Sequence, residues 1–406
     1  MSQARHYEMK DSGFGDIREM PEHWQMLRIK NRYSVLCGAT PSENSENWDG
    51  DINWIGPADM GDFGKIKEGK RTITQTGYDS CGTHLISAGS VILSTRAPIG
   101  KVQIAEAELC TNQGCKSMVR MFTDDSTQFL AYYLFAIKER LQEAGTGTTF
   151  KELSTANLKN MPFLLPSPQE QTAIAAYLDE KCATIDAIIA EAKATIDEYK
   201  AWKASVIFEA VTKGLNPNAE MKDSGVEWIG EIPKGWKVKA AKYCVEIHHG
   251  SDPVTEGDVP VYGSGADSFK TCGEYKEGPA VLVGRKGATL HIPHYIIGRY
   301  WNVDTAFDVK AHPDFSLKFY YYLAICFDYK FYISQTTLPG MTQTNYRNMP
   351  IPVPPLSEQA SIVSYLDRKC SLIDGIILEK EDLIRELENY KRSLIFEVVT
   401  GKRRVC

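Results

Sequence analysis

The chain has 406 residues, 43% of them hydrophobic and 24% charged, with a formal net charge of −6. That balance is ordinary for a globular protein with room for two or three domains, and it removes the easy argument for a nucleic-acid binder without excluding local basic faces. No apolar run approaches a membrane span, the amino-terminal MSQARHYEMKDSG is polar, and ten cysteines form no CxxC pair, so a reducing cytoplasm without a zinc site is expected.

In chain order, residues 7–24 (YEMKDSGFGDIREMPEHW) come first, and they return as residues 219–236 (AEMKDSGVEWIGEIPKGW) at an offset of 212. Each reads as a turn-rich segment with one aromatic anchor, Trp24 or Trp236. A variable segment, 25–157, follows the first copy. It holds strand-like runs at His84–Leu93 and Cys115–Phe122, separated by turns such as Ala97-Pro98-Ile99-Gly100 and Asn112-Gln113-Gly114. A helix is expected over about 126–143.

Residues 161–212 then open MPFLLPSPQEQTAIAAYLDEKC and close KASVIFEAVT. Pro166 and Pro168 mark an extended approach, and Ser167 with Glu170 has the spacing of a capping box. Apolar residues recur at alternating steps of four and three: Leu178, Cys182, Ile185, Ile189, Ala192, Ile196, Tyr199, Val206 and Ala210, interrupted by Lys203. That is a coiled-coil seam rather than a broad globular face. Gly214 stands where a C-cap glycine belongs. After the second short motif comes a second variable segment, 237–347, with a strand at Ala280–Val283, a turn at Gly284-Arg285-Lys286-Gly287 and a helix over about 315–331. Residues 349–400 finally repeat 161–212 without a gap, at an offset of 188 and with about half the positions identical. The second seam runs through Leu366, Cys370, Ile373, Ile377, Ile384, Leu387, Leu394 and Val398, with Lys380 and Lys391 as interruptions. Forty-odd residues at 1.5 Å rise make a rod of roughly 65 Å, and two such helices in one chain are expected to pair. The chain is a tandem duplication, and such self-similarity governs the whole fold.

Catalytic tools are missing from the sequence. There is no GxxxxGK[ST], HExxH or GxSxG, and no Asp-Pro-Pro-Tyr or Asn-Pro-Pro-Tyr segment of the adenine-methylating kind. His248-His249 read as structural or exposed, because neighbours in an extended segment face opposite ways. The variable segments instead place polar and basic residues at turns. Arg96 and Lys101 flank one turn, and Arg285 and Lys286 lie in another after a strand. Thr111, Asn112 and Gln113, and Trp301 and Asn302, occupy the next turn or strand. Thr148-Thr149 and Thr336-Thr337 recur at the 188 offset before the long helices, with Lys151 and Arg347 nearby. Arginine and lysine reach phosphates and guanine edges, while asparagine and glutamine pair with adenine, so these fifteen residues are the candidate DNA contacts.

Three stretches carry a family resemblance. They are Pro354-Pro355-Leu356-Ser357-Glu358-Gln359, the segment Lys222-Asp223-Ser224-Gly225 with Gly230-Glu231-Ile232-Pro233-Lys234-Gly235-Trp236, and the helix ends Phe208-Glu209-Ala210-Val211-Thr212-Lys213-Gly214 and Phe396-Glu397-Val398-Val399-Thr400-Gly401. In this order and in duplicate they resemble the specificity subunit of type I restriction-modification systems, over nearly the whole chain. Two places depart from the pattern: Pro166-Ser167-Pro168-Gln169-Glu170-Gln171 lacks the Pro-Pro-Leu form, and His23 stands where the second copy has Gly235.

The resemblance implies an α+β chain of two mixed α/β target-recognition domains, joined and separated by two long antiparallel coiled-coil helices about a pseudo-two-fold. The expected boundaries are 1–157 and 215–347 for the recognition domains with their motifs, and 158–214 and 348–406 for the helices. It further implies that each domain reads half of a bipartite, asymmetric DNA site. The chain would have no catalysis of its own. Two adenine-N6 methyltransferase subunits and motor-nuclease subunits would be its partners, and S-adenosylmethionine, ATP and magnesium would sit on them. A coiled-coil scaffold that binds only proteins is the competing reading, and a methyltransferase fused to its reader is disfavoured by the missing motifs.

Overall fold

A computed structural model describes residues 7–14, 17–147, 151–265, 267–333 and 339–405. The chain forms two compact units, one of Met1–Glu191 with Leu383–Cys406 and the other of Ala192–Asp382. Two long helices, Pro168–Lys213 and Leu356–Val399, each contribute one half to each unit. The fold class read from the sequence holds: two mixed α/β domains and two long helices, duplicated in tandem.

In the first unit a five-stranded sheet has the order Tyr33–Cys37, Cys115–Arg120, Val91–Ser94, Val102–Ala105, Phe63–Ile66. Neighbours are antiparallel except the last pair, which is parallel. A smaller sheet of Cys110–Thr111, Trp48–Ile55 and Arg71–Ile73 stands beside it. The helix Thr127–Ala136, capped by Ser126, buries Phe129, Tyr132 and Tyr133 against the main sheet and the first long helix. Here the expected single helix is two. Ile137, at φ −97° and ψ 22°, breaks it before Lys138–Glu143. The expected strand from His84 shortens to Val91–Ser94, because Gly89 turns the chain at φ +82° just ahead of it.

The second unit repeats this plan. Its main sheet runs Val245–His249, Ala306–Ala311, Ala280–Gly284, His294–Ile296, and its smaller sheet runs Lys270–Cys272, Val259–Tyr262, Arg299–Asn302, Lys276–Glu277. The helix Leu317–Cys326, capped by Ser316, packs Phe319, Tyr320 and Tyr322 inward. It stops short of the expected end because Phe327 takes an extended ψ of 133° and its ring packs at 5.6 Å against Trp228.

Within each unit the half-helices run antiparallel and share a seam. In the first, Leu178, Cys182, Ile185 and Ile189 share a core with Leu394, Ile395, Val398 and Val399. In the second, Ile207, Ala210 and Val211 share one with Ile362, Leu366 and Cys370. Ile207, not the expected Val206, is the buried residue there. Two of the lysines that interrupt the seams have opposite charges to meet. Lys391 Nζ lies 2.6 Å from Asp186, and Lys203 Nζ lies 2.7 Å from Asp374, again at the 188 offset. The capping box forms as its spacing predicts: Ser167 N–H donates to Glu170 Oε2 at 3.1 Å, and Glu170 N–H donates to Ser167 Oγ at 3.3 Å. Glu170 and its counterpart Glu358 also accept from the indoles of Trp24, at 3.3 Å, and Trp236, at 2.9 Å, which ties each short motif to the start of a long helix. Each helix then ends on a glycine seated against the motif of its unit, Gly401 beside Pro21 and Gly214 beside Trp236. Among the described residues no helix is long and apolar enough to cross a membrane.

Candidate nucleic-acid interface

In both units the strand at the heart of the main sheet empties into a turn, and the preceding segment of the next strand is drawn beside it. Thr95 N–H donates to Gly114 O at 2.7 Å in the first unit, and Arg285 N–H donates to Thr305 O at 2.7 Å in the second. Arg285 thereby takes the place of Thr95, and Arg96 and Lys286, bridged to Glu152 and Gly340, hold equivalent positions in the two turns. This is a consequence of strand pairing and needs no contact between the arginines and the rest of the turn.

Around the first turn, Arg96 Nη2 lies 2.9 Å from Glu152 Oε2 and is about half exposed. Lys116, nearly buried, donates to Gln113 O at 3.3 Å and lies 3.7 Å from Glu152 Oε1. Gln113 is exposed and accepts from the Thr40 hydroxyl. Lys151 is exposed beside Glu152. The structure therefore brings Arg96 and Lys116 to one carboxylate, with Gln113 joined to it through Lys116 and Lys151 next to it in the chain. An exposed arginine–glutamate pair is worth little in water, so the guanidinium can exchange that partner for a phosphate or a base edge at small cost.

Other candidates are committed to the fold. Lys101 Nζ donates to the carbonyls of Pro57, at 2.9 Å, and Met60, at 2.7 Å, and so pins the neighbouring loop. Asn112 Oδ1 accepts from Gly114 N–H at 2.8 Å and closes its own turn. Thr111 is only 2% exposed, in a strand that pairs with Ile55. In this structure these three build the loop, with Thr111 buried in it.

The second unit shows the same division. Arg285 is partly exposed and donates to Asp304 O at 3.1 Å and Oδ2 at 3.4 Å. Lys286 is exposed, with its backbone bridged to Gly340. Asn302 is 0% exposed: its amide donates to Ala306 O at 2.8 Å, and its oxygen accepts from Lys276 Nζ at 2.7 Å. Its side chain is thus buried and fully engaged within the fold. Trp301 Nε1 donates to Ser251 O at 2.7 Å, while its ring stays partly open, with the Lys276 ammonium 5.6 Å from its centroid. Arg347 is exposed in the last turn of Gln343–Asn348. Met341, just ahead of that helix, donates its N–H to Arg285 O at 2.8 Å, so Arg347 is at the far end of the helix from the Arg285 turn. Thr148, Thr149, Thr336 and Thr337 lie outside the described residues.

Some cations and aromatics escape sequence reasoning. Arg299 lies 4.7 Å over the ring of Tyr275, which is 55% exposed, and Lys270 lies 5.6 Å from Phe269, which is 60% exposed. Aromatic faces beside cations suit both base stacking and phosphate contact. Tyr275 and Arg299 are distant in sequence, so only the pairing of Lys276–Glu277 with Arg299–Asn302 brings them together. Phe269-Lys270 is a visible dipeptide, but nothing in its sequence says that it is exposed.

The type I restriction modification DNA specificity domain matches residues 21–198 and 233–389, which is one match for each half of the duplication. Among individual proteins, the chain is 35% identical over 245 residues to the type I restriction enzyme MjaIX specificity subunit of Methanocaldococcus jannaschii, covering 58% of this chain and 55% of that protein. It thus spans about half the length of that relative. It is 24% identical over 436 residues to the MjaVIII specificity subunit of the same organism, covering 98% of this chain and 97% of the other. In three dimensions it resembles a chain from a structural study of complex assembly and conformational transition of the type I R-M system, with a TM-score of 0.75 and 16% identity over 94% of this chain and 99% of that one. The two family matches fall on the two units whose folds repeat each other, and together they span most of the sequence. The chain belongs to the family of type I restriction-modification DNA specificity proteins.

Proposed function

We propose that this chain is the sequence-reading subunit of a type I restriction-modification complex, with each α/β domain recognising one half of a bipartite DNA site. The observation that carries this reading is the pair of equivalent turns, each presenting an exposed basic residue on a shared scaffold while the loops around it differ. A duplicated scaffold with divergent loops suits two related tasks on two different targets. In this reading residues 1–157 and 215–347 are the recognition domains with their motifs, and 158–214 and 348–406 are the helices that set the spacer and dock two adenine-N6 methyltransferase subunits. Motor-nuclease subunits join that core, in the cytoplasm. S-adenosylmethionine, ATP and magnesium belong to those partners, and this chain performs no bond-breaking step.

The test is a gel shift of the chain bound to its methyltransferase partner, against a duplex bearing the N6-methyladenine site mapped in the source genome and against random duplex. Selective retention of the mapped site supports the reading, and equal affinity for both duplexes would leave a scaffold. The purified chain alone is expected neither to methylate nor to cleave DNA. Methyl transfer by the partner-free protein contradicts the assignment.

A further inference from the structure

The two units differ where the first supplies a part that the second lacks. In the first, residues 56–70 connect Trp48–Ile55 to Arg71–Ile73 and carry the strand Phe63–Ile66. That strand closes the five-stranded sheet, with Phe63 opposite Val102 and Gly64 opposite Gln103. In the second, residues 263–269 make the equivalent connection, from Val259–Tyr262 to Lys270–Cys272. It is eight residues shorter, carries no strand among the described residues, and leaves the sheet ending at His294–Ile296.

The registers allow a comparison residue by residue. His294 faces Leu282 as Gln103 faces Ile92, and Leu282 and Ile92 hold the same place in their sheets, opposite Asp308 and Ser117. Gln103 is buried, and its Nε2 donates to the carbonyl of Gly61, on the approach to the fifth strand, at 3.0 Å. His294 Nε2 is buried with no hydrogen-bond partner among the described residues. On the other face, Phe63 stacks on Tyr132 with ring centroids 4.8 Å apart and meets Phe135 at 5.1 Å. Tyr322 is the counterpart of Tyr132, since their hydroxyls donate to Asp367 and Asp179 of the repeated helices, at 2.6 and 2.7 Å. Tyr322 is only 4% exposed, but among the described residues no ring stacks on it as Phe63 stacks on Tyr132; its near ring is the tilted one of its neighbour Tyr321, at 5.2 Å. A cleft of about 790 Å³ lies there, lined by Tyr322, Tyr295, Ile325, Ile297 and His294, so that it wraps the edge of the sheet.

We propose that this edge strand and cleft are a docking site for one extended segment of a partner polypeptide. The segment adds a fifth strand to the sheet, seats an aromatic side chain against Tyr322 and presents a backbone carbonyl to His294. An end strand carries unpaired backbone donors and acceptors that template such an addition. The first unit shows the occupant in its own covalent form: a carbonyl at position 61, then an aromatic two residues on. The lysines of the cleft are already paired, Lys318 with Asp367 at 3.2 Å and Lys203 with Asp374 at 2.7 Å. Asp267, from the short connection, lines the cleft as a further carboxylate, and with both lysines paired the site favours a polypeptide over a nucleic-acid phosphate. Pro293 sits in the place of Val102, whose N–H bonds Asp62 O at 3.0 Å, so the added strand forgoes that one bond and pairs from Tyr295 onward.

The experiment uses the full chain and a fluorescein-labelled peptide of its own residues 58–68, ADMGDFGKIKE, read by anisotropy. Saturable binding is expected. It should weaken about tenfold with Phe63→Ala in the peptide or His294→Ala in the chain, and stay near the original with His294→Gln, which copies the donor of the first unit. No binding, or binding indifferent to both alanine changes, overturns the proposal. Self-association of the chain that is lost with Ile297→Lys, without peptide binding, assigns the edge to a second copy and overturns it equally. DNA retention in the gel shift is read separately, so failure here leaves the recognition function standing.

Discussion

Gly401 and Gly214 show how single positions bind the duplicated parts together. Both have positive φ, +73° and +75°, where a side chain is strained by about 1–3 kcal/mol. At Gly401 an added Cβ would also stand 2.3 Å from Pro21 Cγ, whereas at Gly225, with φ +72°, it would meet nothing within 4 Å. Gly401→Ala is therefore expected to lower stability by more than Gly225→Ala, and the difference in urea midpoints measures the motif–helix contact. At the same scale, Arg96→Ala and Arg285→Ala should weaken DNA binding while leaving the thermal melt nearly unchanged, because solvent reaches both pairs: Glu152 is about a third exposed and Asp304 about half. A base-reading arginine is worth about 1–3 kcal/mol at one position of the site. A phosphate-bound one weakens all sequences alike and makes the salt dependence shallower. Unchanged binding by both variants retires them as contacts.

At the scale of elements, the long helices carry the clearest expectation. Their seams keep one register, and Lys203 and Lys391 keep their aspartates at the same offset in both units. If the helices set the spacer of the DNA site, seven residues inserted at both Ala192–Ile196 and Lys380–Ile384, duplicating the local heptad, preserve the seam and lengthen each rod by about 10 Å. That length is close to three base pairs, which also turn the duplex by roughly 100°. The expected outcome is unaltered half-sites, a longer preferred spacer and reduced affinity, measured by selection from duplexes of varied spacer. A folded double insertion that keeps the original spacer would show that the helices do not set the distance.

For the whole molecule, modularity follows from each unit having its own core and its own halves of both helices. Replacing residues 25–157 with the matching segment of another family member should change one half-site and leave the other intact, as read by methylation mapping. Simultaneous change of both half-sites would mean that the units do not read independently.

The sequence by itself determined the duplication, the two long helices, their caps and the family, because these are short-range or repeated signals: a Ser167–Glu170 spacing, a step of four and three, a gapless 188 offset. Residue choice at the loops was legible only in part. Arg96, Gln113 and Lys286 are exposed as their chemistry suggests, yet Asn302 and Thr111 look equally available in sequence and are buried. Their burial depends on Lys276, Ala306 and Ile55, which strand pairing brings in from elsewhere. Tertiary structure also decided that each long helix is divided between the two units, and that one sheet keeps an open edge. The shorter connection at 263–269 is visible in the sequence, but what it leaves uncovered appears only when Gln103 and His294 are found at the same place in two sheets. A side chain's neighbours along the chain set its local conformation, while its solvent and its partners are set by segments that only the folded chain brings to it.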